Sequence, residues 1–556
     1  MGRCGVMDGK LAQSWKLPLT AVQFLLIVVL LLGIVFRFVN LDQKVYWGDE
    51  AYSSSRISGY TAEEIVQALY TGRELSVEEL LNYQNANTER NLGDTLRVIA
   101  TEAPHHPPLY YIMARLWEEW FGISVGIKRC LPALISLLAF PCLYWLCWEL
   151  FGSSLTGWIA IALVAVSPIH LLYAQEVREY SLWTTSVLFA TAALLYAVRV
   201  KTKRSWSLYA VSIAIALYSH LFSGMVVLGH GIYVLSLDGW RWSKRLRDYL
   251  LAATVGLALF IPWILIFIKQ ESRVSKGWAW VVQDISQLNF YQRWMTNLVR
   301  GFFDVQIGNN DPFDLPFGYD QPTTYVIIPI VILVAYAMYF LFHKAPRSVW
   351  LLLLVLMAST TLPLVLPDLI SGGRRSTIAR YQLPSYLGIQ LAVAYLLSTK
   401  LSTVSAHWQQ KLWRFITVAL ISCGVVSCAL IAQSDTWWTK YTDYHNAQVA
   451  RIINQSPAPL VWSDSAPNRI LALSHLLEPK VRLQLVEIPL EAPEIPEAKL
   501  PEMPPNFRDI FVLESTPPGS LLRGELEKYK NYNFQLVYEE EISFKDRKTF
   551  LWRLRR

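Results

Sequence analysis

Val45-Tyr46-Trp47-Gly48-Asp49-Glu50-Ala51-Tyr52 follows closely on the first long apolar run of the chain, Leu19 to Phe38, and sets two adjacent carboxylates between aromatic residues. A run of that length crosses a hydrocarbon core about 30 Å thick, and it is too long for the core of a signal peptide. Read as an uncleaved first span, it delivers Asp49 and Glu50 to a membrane surface. Interfacial anchoring accounts for Tyr46, Trp47 and Tyr52. It does not account for a paired charge.

The rest of the sequence agrees with a membrane setting. Its 556 residues are 53% hydrophobic and only 17% charged, which excludes an ordinary soluble protein. Apolar runs place further spans near 127–148, 156–173, 181–199, 206–222, 224–237, 249–268, 323–342, 348–366, 383–398 and 413–433, about eleven with the first. The expected fold class is therefore a polytopic α-helical membrane protein. Its net charge of +7 is loop charge that sets orientation, with no nucleic-acid partner implied. Five of the six cysteines lie inside apolar runs, and their spacing fits neither a metal site nor a disulfide framework.

Lys and Arg collect on one side. With Arg3, Lys10 and Lys16 cytoplasmic, so are Arg199-Lys201-Lys203-Arg204, Arg241-Lys244-Arg245-Arg247, Lys344-Arg347 and Lys400-Lys411-Arg414. The loop from Glu149 to Ser154 is the one cytoplasmic loop without basic support. Pro107 to Gly122 carries Arg115, Glu118 and Glu119, so it reads as a helix lying in the interface. On this topology the protein is a multi-pass protein of the plasma (inner) membrane, and Asp49 and Glu50 face outward.

Residues 1–433 form the expected transmembrane module, with large external loops at 40–107 and 269–322. The first loop carries two capping boxes, Thr61-x-x-Glu64 and Ser76-x-x-Glu79, which predict short helices over 62–70 and 77–87. Residues 434–556 change character. Candidate strands at 459–463, 481–486, 509–513, 534–539 and 549–554 alternate with polar helical stretches, and a Pro/Glu-rich segment runs from Pro489 to Pro505. They predict a small external α/β domain without a catalytic motif.

Three further clusters fall on the outer side. His105-His106-Pro107-Pro108 precedes the interface helix, where proline suits a helix start and His106 is a candidate substrate contact. In Tyr173-Ala174-Gln175-Glu176-Val177-Arg178-Glu179-Tyr180 the charges are either solvated at a tight turn or held for function. Arg374, Arg375 and Arg380 break the positive-inside bias, which a bound anion would explain through the guanidinium fork.

The acidic pair after the first span, the HPPLYY stretch, YAQEVREY and RYQLP resemble, in that order, the GT-C glycosyltransferases. The branch resembled contains the protein O-mannosyltransferases and the lipid A aminoarabinose transferases, and the resemblance covers roughly 19–400. It implies transfer of a sugar from a polyprenyl-phosphate donor to a protein, lipid or glycan acceptor on the outer face. Asp49 is then the general base of an inverting reaction, with Glu50 orienting the acceptor or raising the basicity of its neighbour. Arg380, Arg374, Arg375 and Arg178 meet the leaving phosphate, and His106, Tyr381, Glu176 and Tyr52 contact substrate. No metal ligand set is expected, although some members of the family use a divalent cation. The alternative from another class is a transporter or flippase of lipid-linked saccharides, which calls for internal repeats and midplane charge.

Overall fold

The computed structural model describes residues 21–270, 279–306, 321–403, 406–487, 507, 509–515, 522–530, 532–542 and 547–555. Cys4, the basic residues of the N-terminus and the Pro489 to Pro505 segment lie outside the described residues. The five described cysteines are free.

Every predicted span is helical. The first is α1 (Ala21–Phe38). Among the described residues six later helices are long and apolar enough to cross a membrane, or seven spans if one bent pair is counted. These bounds by length and composition are narrower than the expected eleven, because several helices are short or carry polar residues. Five helices follow α1 before the bundle resumes: α2 (Gly48–Ser58), α3 (Ala62–Leu69), α4 (Val77–Asn82), α5 (Leu92–Glu102) and α6 (Leu109–Phe121). The Thr61–Glu64 capping box is complete, whereas at Ser76 only the side chain accepts from the Glu79 amide. α6 occupies the predicted interface helix, and Trp120 and Phe121 stand exposed at its end.

The bundle continues with α7 (Val125–Phe151), α8 (Ser154–Ala165), α9 (Pro168–Ala174) and α10 (Tyr180–Val200). The run expected as one span at 156–173 is broken, with α8 and α9 meeting at 63°. Pro168 cannot donate to the preceding turn, so the helix stops before it. A break inside a membrane frees carbonyls that must be satisfied. Arg37, at the end of α1, supplies its guanidinium: Nη1 donates to Ala165 O at 2.7 Å and Nη2 to Val164 O at 3.3 Å. Gly33 makes this approach possible, since a Cβ there would stand 2.6 Å from Ala165 O. α9 then ends on the Gln175–Glu179 turn, which faces α2. At the far end of α10, Arg199 pairs with Glu149 at 2.7 Å. The loop that lacked basic support is therefore held by a basic residue of its neighbour.

Next come α11 (Lys203–Ser219), α12 (Ser223–Leu237), α13 (Lys244–Lys269), α14 (Gln287–Val299), α15 (Thr324–Lys344), α16 (Arg347–Ser371), α17 (Leu383–Ser402) and α18 (His407–Gln433). The C-terminal segment adds α19 (Asn446–Asn454), α20 (Pro467–Ser474) and α21 (Leu522–Lys530).

Its strands are β2 (Pro459–Ser463), β3 (Arg482–Val486), β4 (Asp509–Ser515), β5 (Asn533–Ile542) and β6 (Arg547–Arg555), close to the sequence expectation. The sheet has a sixth member, β1 (Thr71–Ser76), from the long segment between α1 and α7. Strand order is β1-β3-β2-β4-β6-β5. β2 runs parallel to both its neighbours and is buried along its whole length, as a central parallel strand should be. β1 pairs antiparallel with β3 at an edge, carrying Arg73 and Glu74, and charge of this kind blunts edges. Val461, Leu483 and Phe511 turn one face of the sheet into the main core, so the sheet is packed onto the membrane module through α20 and α2.

Candidate active site

α2 begins on extended Trp47 without a cap from its own side chain. The cap comes from far along the chain: Asp443 Oδ2 accepts the Gly48 amide at 2.8 Å. Gly48 packs closely here: a Cβ would stand 2.5 Å from Asn468 Nδ2 of α20, which would have to move. Asp49 and Glu50 in the first turn complement the helix dipole. Successive helical residues point about 100° apart, so the two neighbours have different fates.

Glu50 turns inward and is fully buried. Arg129, in the first turns of α7, grips it with Nε at 2.9 Å from Oε1 and Nη2 at 2.8 Å from Oε2. Lys440 Nζ is 2.8 Å from Oε2, and the Val177 amide donates to Oε1 at 3.1 Å. The Arg129 guanidinium also donates to the carbonyls of Leu41, Lys44 and Val45 at 2.7–3.0 Å, which fixes the chain leading into α2. Lys440 reaches Glu176 as well, at 3.2 Å. Burial works to raise the Glu50 pKa, but Arg129 and Lys440 outweigh it and the carboxyl is held below its ordinary range. For Glu176 burial, with the Glu50 charge beside it, outweighs Lys440 and Thr439, and its pKa is raised.

Asp49 turns outward, and 28% of its side chain is exposed, against none of Glu50 or Glu176. Arg380 Nη1 lies 3.5 Å from Asp49 Oδ2. Arg178 Nη1 reaches the Asp49 carbonyl at 3.4 Å and Ser53 Oγ at 3.3 Å. Behind it Glu179 is 3.6 Å from Arg178 and 2.9 Å from His106 Nδ1. For Asp49 too burial pushes the pKa up, but Arg380, Arg178 and His106 bring it below the usual aspartate value. For Glu179 the same opposition of burial by Arg178 and His106 ends well below the ordinary value.

Next to Arg380 a cleft of about 50 Å³ is lined by Tyr173, Arg293, Asn297, Arg300, Trp438 and Tyr441, among others. Arg300 is 3.6 Å from Asp304 and stacks 4.0 Å from the Trp438 ring centroid, and both Trp437 and Trp438 donate to Asp304. Arg293, Arg300 and Arg380 thus give this small cavity three guanidinium groups in its lining. Among the described residues no three His, Cys, Asp or Glu side chains converge as a metal ligand set.

Asp49, Arg178, Arg380 and His106 thus come together, with Glu176 in the buried layer beneath. The 175–180 turn is buried and ion-paired, not solvated. Tyr381 lies beside Arg380, 5.6 Å from its guanidinium carbon, and Tyr52 lies 5.4 Å from that of Arg56. Arg374 and Arg375 have partners of their own: Arg375 pairs with Asp368 of α16 at 2.9 Å and Arg374 donates to Gln283, which precedes α14, at 2.6 Å. Arg129, Lys440, Arg293 and Arg300 were not among the expected site residues. Arg129 carried a signal, a charge at the start of a predicted span. Lys440 carried none.

Residues 105–266 match the family described as dolichyl-phosphate-mannose-protein mannosyltransferase, a stretch that includes His106 and the 175–180 turn. No curated protein matches the sequence. Among solved structures, ArnT from Cupriavidus metallidurans bound to undecaprenyl phosphate is similar over 96% of this chain and 98% of its own, at 14% identity and a TM-score of 0.52. The Archaeoglobus fulgidus oligosaccharyltransferase covers 84% of this chain and 65% of its own, at 13% identity and a TM-score of 0.47. The chain is a multi-pass membrane protein with the GT-C glycosyltransferase fold. Within that class it is similar to the protein mannosyltransferase family and to ArnT.

Proposed function

We propose that the protein transfers a sugar from a polyprenyl-phosphate donor to an acceptor hydroxyl on the outer face of the membrane, with Asp49 as general base. The observation that carries this reading is the pairing of a partly exposed carboxylate, Asp49, with Arg380 at 3.5 Å, at the edge of the arginine-lined cleft. The acceptor O–H gives its proton to Asp49 as the oxygen bonds to the anomeric carbon. The carbon–oxygen bond to the lipid phosphate breaks on the opposite side, so the configuration inverts. Arg380, with Arg293 and Arg300 along the cleft, stabilises the departing phosphate. Undecaprenyl phosphate in the ArnT structure supports a polyprenyl phosphate as the lipid. Glu50 acts from beneath, holding α2 in place, while Arg178 fixes the Asp49 backbone.

A transporter reading finds support in the broken span α8/α9. Arg37 fills that break with hydrogen bonds, however, and the Asp49 cluster gathers at one end of the bundle.

The test is Arg380→Ala assayed with a polyprenyl-phosphate sugar. Loss of a charge-assisted contact predicts a donor KM about tenfold to a hundredfold higher, with the acceptor KM little changed. An unchanged donor KM would refute the phosphate assignment.

The pH dependence gives a second check. Free Asp49 sits below its ordinary pKa because Arg380 and Arg178 face it. A bound phosphate neutralises Arg380, so the Asp49 pKa rises in the complex. The acid limb of kcat, which reports the complex, should therefore lie at higher pH than that of kcat/KM, which reports the free enzyme. Coincident limbs, or the reverse order, would contradict this coupling.

A further inference from the structure

The transferase reading uses one end of α17 and leaves the other unexplained. Arg380 immediately precedes this helix and Lys400 lies in its last turn. At 1.5 Å per residue Lys400 is roughly 25 Å along the axis from Leu383, close to the thickness of a hydrocarbon core. Lys400 therefore sits at the membrane face opposite Asp49.

Its ammonium is ringed by aromatic side chains, 5.1 Å from the Phe340 ring centroid, 5.4 Å from Trp413 and 5.8 Å from Tyr336. Among the described residues it has neither a carboxylate partner nor a hydrogen bond. The sequence supplies little else. From 321 to 434 the single acidic residue is Asp368, at the other end of α16 and paired with Arg375. Lys344, Arg347, Lys411 and Arg414 add exposed positive charge at the same helix ends.

Tyr336 and Trp413 also close one end of an apolar groove of about 510 Å³ between α15 and α18, walled by Leu333, Phe415, Ala419 and Leu420. A long apolar groove ending at a cation without a counterion matches an amphiphile with an acyl chain and an anionic head. We propose that this groove binds an anionic glycerophospholipid of the leaflet opposite Asp49, its acyl chain between α15 and α18 and its phosphate on Lys400. The donor's polyprenyl chain is a poorer match, because its phosphate belongs at Arg380, on the far side of the membrane. Only that exclusion rests on the transferase reading.

Native mass spectrometry of the full-length protein with equal dioleoyl phosphatidylglycerol and dioleoyl phosphatidylcholine tests the site. One lysine at a membrane surface favours an anionic lipid about fivefold, so phosphatidylglycerol should be retained over phosphatidylcholine by about that factor. Lys400→Gln should cut the preference about fivefold, and Ala419→Phe, which narrows the groove, should lower retention of both lipids. Equal retention by the unaltered protein overturns the proposal, and that comparison needs no variant to fold. A preference undiminished in Lys400→Gln overturns it too. Displacement of phosphatidylglycerol by equimolar undecaprenyl phosphate would assign the groove to the polyprenyl chain instead.

Discussion

Asp49→Asn is expected to lower kcat by about 10²–10⁴, the range that a positioned general base contributes. The carboxamide keeps the shape of the side chain and cannot take the acceptor proton. Donor binding should survive and become somewhat tighter, because Arg380, now 3.5 Å from a carboxylate oxygen, would face a neutral group and have its charge wholly available to phosphate. Turnover with a saturating donor, measured beside donor affinity, separates these effects. Turnover within a few-fold of the parent protein would end the assignment of Asp49 as base. A parallel loss of donor binding would place it in binding instead.

Lys440→Met should cost about 3–5 kcal/mol of stability, the range for breaking a buried ion pair from one side. The substitution leaves Glu50 with Arg129 alone and takes from Glu176 the cation 3.2 Å away. Activity should fall with stability, since Lys440 ties α2, the 175–180 turn and the C-terminal segment into one unit. The pH dependence has a definite sign. Glu176 already has a folded-state pKa above its ordinary value, raised by burial. Without Lys440 it rises further, and a carboxyl with a raised folded pKa penalises the fold at pH values above that pKa. Acidification protonates Glu176 and relieves the penalty, so the deficit against the parent protein should narrow as the pH drops from about 7 to about 5. Chemical denaturation at the two pH values measures it. A variant as stable as the parent at neutral pH would mean that the cluster contributes nothing to holding the site.

The two neighbours Asp49 and Glu50 mark how far the site was legible. Their importance could be read from the chain, because paired charge after an apolar span has no anchoring role. Their division of labour could not, since it depends on which side of α2 meets Arg129 and which meets Arg380. The arginine group 374–380 divided in the same way. Arg380 reaches Asp49, while Asp368, two residues past an expected span but still within α16, takes up Arg375. Likewise β1 was hidden between two capping boxes: TGRELS has no apolar alternation, and it is a strand because β3 offers it an edge.

The sequence by itself determined the helical membrane character, the segments that become helices, the strands of the C-terminal segment and the prominence of the acidic pair after the first apolar run. Each is a local property, set by the length of an apolar run against a bilayer or by the period of a strand. Only the tertiary structure decided that Glu50 is clamped by Arg129, 79 residues away, and by Lys440, 390 residues away, leaving Asp49 as the open carboxylate. Burying a charge demands a partner, and which partner arrives is settled by packing across the whole chain.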